Sequence, residues 1–141
     1  MKRMVLDTDV IIAGMRSPTG ASAALLLMVL ENRFEMLASV PLFFEYEAKC
    51  TSPTHWTEAG LTKEQANVFV DGLAALTKPV NTHYLWRPLL RDPNDEMVLE
   101  VAVNGRADAI VTFNFRDYGN IPEKFGIELL KPADALRRLR K

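Results

Sequence analysis

Acidic and amide side chains recur at four places along this 141-residue chain: Asp7 with Asp9, Glu45, Asp92 with Asp95, and Asn114 with Asp117. Together these residue types could hold a hard divalent cation. Magnesium and manganese take oxygen ligands in near-octahedral geometry, usually a few carboxylates and several waters. Carboxylates packed together raise one another's pKa unless a cation is present. A cluster of these groups therefore implies a divalent ion, which can activate water and offset charge on a phosphodiester.

Each residue also has a plainer use. Asp92 precedes Pro93 and suits a helix N-cap, and Asp95 could only decorate the positive end of the same helix. Glu45 stands among Phe43, Phe44 and Tyr46, either as an inward-facing acid or as a solvated one beside Glu47. Asp117 precedes Tyr118-Gly119 and could be a turn former or a ligand. Asp7 is the hardest to dismiss, because an acid closing an apolar strand rarely serves packing. Taken singly the signals are weak; order and spacing give them weight.

The elements that must position these groups follow from periodicity. Residues 4–8 read as a buried strand that delivers Asp7 and Asp9 at its carboxyl end, the edge where ligands collect in open α/β sheets. A turn at 17–20 leads to a helix at 21–33 that is apolar nearly all round and hence buried. Residues 35–39 read as a second strand, and Pro41 opens a helix reaching Cys50. A break at 51–60 precedes Thr62-Lys63-Glu64-Gln65, which fits a capping box for a helix ending at Leu76. Val80 could begin a short strand, with Trp86, Leu89 and Leu90 packed under a loop. A helix runs from Pro93 to Gly105, strands are expected at 109–112 and 127–130, and a last helix begins at Pro132. Strands alternating with helices argue for an α/β fold with a parallel sheet covered on both faces.

Composition bounds the rest. With 48% hydrophobic and 25% charged residues the chain suits one compact domain. A net charge of -1 leaves no broad basic face for non-specific nucleic-acid binding, yet a nuclease with an acidic metal centre stays admissible. Cys50 is the sole cysteine, so no intrachain disulfide forms, and with His55 and His83 it makes a poor zinc set. The apolar run at 21–30 is shorter than the roughly 20 residues that span a bilayer, and the first residues are too short for a signal peptide. A soluble, cytoplasmic protein is expected.

The order of motifs resembles the PIN domain family, in particular the toxins of bacterial and archaeal toxin–antitoxin pairs. The pieces are Val5-Leu6-Asp7-Thr8-Asp9-Val10, Pro41 through Glu45-Tyr46-Glu47, Arg91-Asp92-Pro93-Asn94-Asp95, and 107–118 with its Thr112-Phe113-Asn114-Phe115-Arg116-Asp117 core. The closing 126–133 is similar as well. The resemblance implies a PIN-like three-layer fold over residues 1–141, a central parallel sheet of four or five strands flanked by helices. It implies a magnesium- or manganese-dependent ribonuclease hydrolysing RNA phosphodiesters. Asp7, Glu45, Asp95 and Asp117 match the catalytic acids, with Asp7, Asp95 and Asn114 as metal ligands. Thr8, Asp9 and Thr112 would support them. Arg16, Arg87, Arg91 and Arg116 lie beside these segments and could contact phosphates, or could be solvated surface charges. The resemblance also implies a homodimer and an antitoxin peptide lying in an apolar groove. Trp56, Phe69, Val70, Leu73 and Leu76 could form such a groove, although core packing is the better use of that stripe.

Two positions depart from the pattern. Position 9 is Asp where many relatives carry Asn or Ser, adding a negative charge. Position 114 is Asn where many PIN nucleases have Asp, which leaves the number of ions open. Two other readings compete. One is a degenerate PIN fold that only binds RNA or protein. The other is a haloacid-dehalogenase-like phosphatase, because Asp7-Thr8-Asp9-Val10 fits that family's Asp-x-Asp-x-Val nucleophile motif; the later lysine and paired acids it needs are not convincing here.

Overall fold

Five parallel strands form one sheet in the computed structural model, which describes residues 1–82 and 88–140. They are β1 Arg3–Leu6, β2 Glu35–Ala38, β3 Thr77–Pro79, β4 Ala109–Val111 and β5 Glu128–Leu130, in the order β3-β2-β1-β4-β5. Register is set by pairs such as Met4 with Met36 and Leu6 with Val111. Val5, Leu6, Ile110 and Val111 are fully buried, as expected of parallel strands covered on both faces. Burial of each such side chain contributes about 1.5–3 kcal/mol.

Eight helices flank this sheet among the described residues: α1 Thr8–Arg16, α2 Ala21–Leu30, α3 Val40–Cys50, α4 Pro53–Glu58, α5 Lys63–Leu76, α6 Pro93–Asn104, α7 Phe115–Tyr118 and α8 Pro132–Arg140. The layered α/β architecture expected from the alternating pattern is the one observed. α6 lies against β1, β2 and β4 and packs on α3, burying Val98, Leu99, Val101 and Ala102. The buried apolar residues form one continuous core. No single helix among the described residues is long and apolar enough to cross a membrane.

Several local expectations hold. Thr62 and Gln65 exchange the two hydrogen bonds of a capping box, Asp92 caps α6 through the Asn94 N–H, and Gly105 closes that helix. Val70 and Leu73 go into the core, with Trp56, Phe69 and Leu76 packed against it, so the apolar stripe serves packing. Leu90 also packs on the core, whereas Leu89 is exposed. Trp86, His83 and Arg87 lie outside the described residues.

Other expectations are corrected. The first strand stops at Leu6, and Thr8 already begins α1, a helix absent from the sequence reading. Val10, Ile11 and Ile12 extend the strand-like pattern, but Asp7 caps the backbone and places Val10, Ile11, Gly14 and Met15 on one buried helical face. α2 ends at Leu30 and is not buried all round: Leu27 and Leu30 are 59% and 69% exposed. The expected break at 51–60 contains α4, opened by Pro53. β3 is Thr77–Pro79 rather than a strand starting at Val80; its proline is tolerated because β3 lies at the sheet edge.

Candidate active site

The chain runs outward from β1 to β2 and β3, then crosses back to build β4 on the other side of β1. The strand order reverses between β1 and β4, and in open α/β sheets the crevice beyond the strand ends at such a point is where ligands bind. Asp7 follows β1 and Thr112 follows β4, and the Asp7 N–H donates to the Val111 carbonyl at 2.9 Å. Two chemistry-bearing residues 105 positions apart are thereby set side by side.

Asp7 is buried and held by donors on both oxygens. Oδ1 accepts from the Thr8 N–H at 2.7 Å and from Asn94 Nδ2 at 3.3 Å. Oδ2 accepts from the Thr112 hydroxyl at 2.8 Å and the Tyr118 hydroxyl at 2.9 Å. Asp9, on the first turn of α1, accepts through Oδ2 from the Phe113 N–H at 3.1 Å, with the Thr112 hydroxyl 3.4 Å away. Its Oδ1 is buried without a partner. Burial, and then the charge of Asp7, push the Asp9 carboxyl up to about 6.

α6 supplies the third acid. Its N-cap Asp92 and Pro93 orient the first turn so that Asp95 is buried, and Asp95 Oδ2 likewise has no partner. Burial raises this carboxyl to about 7, helped by the charges of Asp7, Asp92 and Asp117 and opposed by the Tyr118 hydroxyl. Glu96, the next residue, accepts from the Leu89 and Leu90 N–H groups at 3.1 and 2.9 Å, tying the segment before α6 to the helix. From the far side, α7 contributes Asp117, whose Oδ2 accepts from Asn114 Nδ2 at 2.6 Å. Gly119 ends this short turn at φ 54, ψ -131, a conformation for which glycine is suited.

Asp7, Asp9, Asp95, Asn114, Asp117, Thr8 and Thr112 are thus gathered around the ends of β1 and β4. Thr112 bonds directly to the carboxylates, while the Thr8 hydroxyl reaches Asn94 Oδ1 at 3.3 Å. Glu45 sits apart from this hydrogen-bonded group on α3, half-buried, with Lys49 Nζ 4.0 Å from its carboxylate. Its neighbour Tyr46 donates to the Leu6 carbonyl from a fully buried position. Two residues escaped the sequence reading as site members, Asn94 and Tyr118. Asn94 was visible only as the middle of Asp92-Pro93-Asn94-Asp95, and Tyr118 only as the end of the Asn114 segment.

Cations flank the acids on two sides. Arg91 and Arg116 line a cleft of about 740 Å³ together with Asp92, Asp117 and Tyr118. Arg16 and Lys49 line a second cleft of about 580 Å³ with Thr8, Asp9, His55 and Phe113. Arg16 is also paired with Glu58 at 2.9 Å. In α8, Arg137 pairs with Asp134 and Arg138 makes a two-pronged pair with Glu128, so the basic C-terminal run is partly consumed by ion pairs.

The donor set suits a hard cation. Among the described residues no three acidic, histidine or cysteine side chains stand close enough for a ready-made cage. Magnesium, however, keeps several waters and binds through one or two carboxylates. Two buried carboxylate oxygens lacking any donor, on Asp9 and Asp95, fit such an ion.

Residues 3–116 match the PIN domain family. The chain belongs to the PIN domain family. Among solved structures, this PIN domain is similar to the crystal structure of VapBC2 from Rickettsia felis bound to a DNA fragment from their promoter. Identity is 15% and the TM-score 0.64, with 92% of this chain and 98% of that one covered. At that identity the likeness shows a shared fold. No curated protein matches. The matched region carries every acid of the cluster except Asp117, which follows it by one residue.

Proposed function

We propose that this PIN domain is a magnesium- or manganese-dependent endoribonuclease acting as the toxin of a toxin–antitoxin pair. The observation that carries the reading is the pair of buried, donorless carboxylate oxygens on Asp9 and Asp95 beside the fully hydrogen-bonded Asp7. Such an arrangement is costly unless a cation completes it. Family membership and the VapBC2-like fold support the same assignment.

When bound, a divalent ion supplies a more acidic water and charge stabilisation for phosphodiester hydrolysis. Asp95 and Asp9 would hold it through their donorless oxygens, with Asp7 and Asn114 beside them. Asp7 is kept in one orientation by Thr8, Asn94, Thr112 and Tyr118. Asn114 in turn orients Asp117 at the mouth of the site. Arg91 and Arg116 offer charge-assisted donors to the RNA phosphates on one side of the acids. Glu45 would act from α3, next to Lys49, which lines the cleft that also holds Asp9. The toxin reading carries an antitoxin partner, a homodimer and a cytoplasmic location with it.

The specific observation favouring a non-catalytic, RNA- or protein-binding role is that, among the described residues, no three acidic, histidine or cysteine side chains form a cage. Incubating single-stranded RNA with the protein in manganese and in EDTA separates the two roles. The nuclease reading expects cleavage that requires the ion and is lost in Asp7→Asn and Asp95→Asn. Equal cleavage by all three proteins, or none by any, overturns it.

A further inference from the structure

The cleft on the Asp9 side of the cluster is set apart from the Arg91–Arg116 cleft by its chemistry. Its walls are largely apolar, from Ile12, Ala13 and Phe113, with Thr8, Arg16, Lys49 and His55 interspersed. A volume of about 580 Å³ falls within the range of small-ligand sites. Phe113 is 51% exposed, so a face of its ring is open to a ligand beside the acidic centre. Its position is nonetheless fixed, because its own N–H donates to Asp9 Oδ2 at 3.1 Å. The His55 ring shares the same wall, and its Nδ1 is buried with no hydrogen-bond partner.

We infer that this cleft is a nucleotide subsite, in which the ring of Phe113 stacks on one unpaired base next to the scissile phosphate, the His55 ring forms part of the wall around that base, and Lys49 faces its phosphate. The inference rests on the nuclease reading and deepens it. An exposed aromatic ring beside a cationic side chain is the combination that proteins use to hold single-stranded nucleic acid, because every base has a face to stack. The cleft itself is the independent observation: Ile12, Ala13 and the His55 ring wall a space of about 580 Å³ beside Phe113, large enough for one base. Asp9 joins the cleft to the acidic centre, since one carboxylate oxygen anchors the Phe113 backbone and the other is buried without a partner.

Two measurements decide it. Adenosine and uridine 5′-monophosphates, which contain no bond for a diesterase to cut, are titrated into the 15N-labelled protein with magnesium. Shifts concentrated at Ile12, His55 and Phe113 support the subsite; shifts confined to Arg91, Arg116 and Tyr118, or none at millimolar nucleotide, overturn it. Steady-state RNA cleavage is then compared for wild type, Phe113→Ala and Phe113→Trp. Loss of stacking raises KM about tenfold in Phe113→Ala with little change in kcat, and Phe113→Trp restores it. Unchanged KM in Phe113→Ala overturns the subsite while the nuclease assignment stands. Nucleotide shifts at Phe113 in a protein that cleaves no RNA leave the subsite in place and remove the nuclease assignment.

Discussion

The Tyr118 hydroxyl donates to Asp7 Oδ2 at 2.9 Å across 111 positions of sequence. Both residues are buried, and the Asp7 carboxylate holds the phenol strongly in its protonated form, with burial the larger cause. Tyr118 is therefore a permanent donor over the whole working pH range. It fixes the orientation of the Asp7 carboxylate, which makes it a positioning residue of the acidic site.

Tyr118→Phe removes that donor while keeping the ring volume. Three donors to Asp7 remain, so a loss of about 1 kcal/mol of stability is expected. The kcat for RNA should fall by roughly tenfold, the equivalent of about 1.4 kcal/mol in the barrier, with KM nearly unchanged. The manganese concentration for half-maximal rate should rise. Chemical denaturation and metal-dependent kinetics measure the two effects separately, and an unchanged metal requirement would reduce Tyr118 to a core residue.

In the absence of divalent ions, Asp9 and Asp95 make the stability of the protein sensitive to pH. Their folded values of about 6 and about 7 lie above the ordinary 3.8. The folded state therefore binds more protons than the unfolded chain between about pH 4 and 7, and stability falls as pH rises through that window. In EDTA the melting temperature should climb by a few degrees on acidification from pH 8 to pH 5, after correction for the remaining groups with Asp95→Asn as reference. Magnesium or manganese should flatten the dependence, because a cation favours the ionised carboxylates. Differential scanning fluorimetry checks both statements. A wild-type slope equal to that of Asp95→Asn is the contrary result.

Arg91 and Arg116 face a shared cleft with Asp117. Their expected contribution is to binding rather than to the chemical step. Arg91→Ala and Arg116→Ala should each raise KM several-fold and reduce the slope of log K against log salt by about 0.7. Arg16→Ala should do less, since Glu58 already neutralises Arg16 at 2.9 Å. Fluorescence anisotropy of a labelled RNA over a salt series gives the slopes; equal slopes in all proteins would make these arginines ordinary surface charges.

Much of this site was legible because strand ends and helix caps announce themselves locally. Asp92-Pro93 and Thr62 through Gln65 marked their helices, and the apolar runs around Val5 and Ile110 marked the strands that meet at the switch point. The misplaced parts share a cause. Val10-Ile11-Ile12 carries β-branched residues that satisfy a strand pattern and a helix face equally, so only the Asp7 cap and the packing of α1 decide between them. Leu27 and Leu30 are exposed in a helix whose sequence shows no polar side, leaving no periodicity to read. Tyr118 and Asn94 act on Asp7 from 111 and 87 positions away, and nothing in their neighbourhoods encodes that distance.

Glu45 is the acid whose place differs most from that of its fellows. The charges acting on Asp95 come from Asp7, Asp92 and Asp117, while Glu45 has Lys49 at 4.0 Å on its own helix face. A half-exposed pair of this kind is worth little to stability, so Glu45→Gln should leave the unfolding free energy within about 0.5 kcal/mol of wild type. Its effect on cleavage should be graded. Removing the charge weakens attraction for the divalent ion from a greater distance than removing Asp95 does, and Coulomb energy falls with separation. The manganese concentration for half-maximal cleavage is therefore expected to rise in Glu45→Gln, but by less than in Asp95→Asn. Lys49→Met provides the control: if the role of Glu45 were only to hold Lys49, the two variants would share one kinetic defect, a raised KM with the metal requirement untouched.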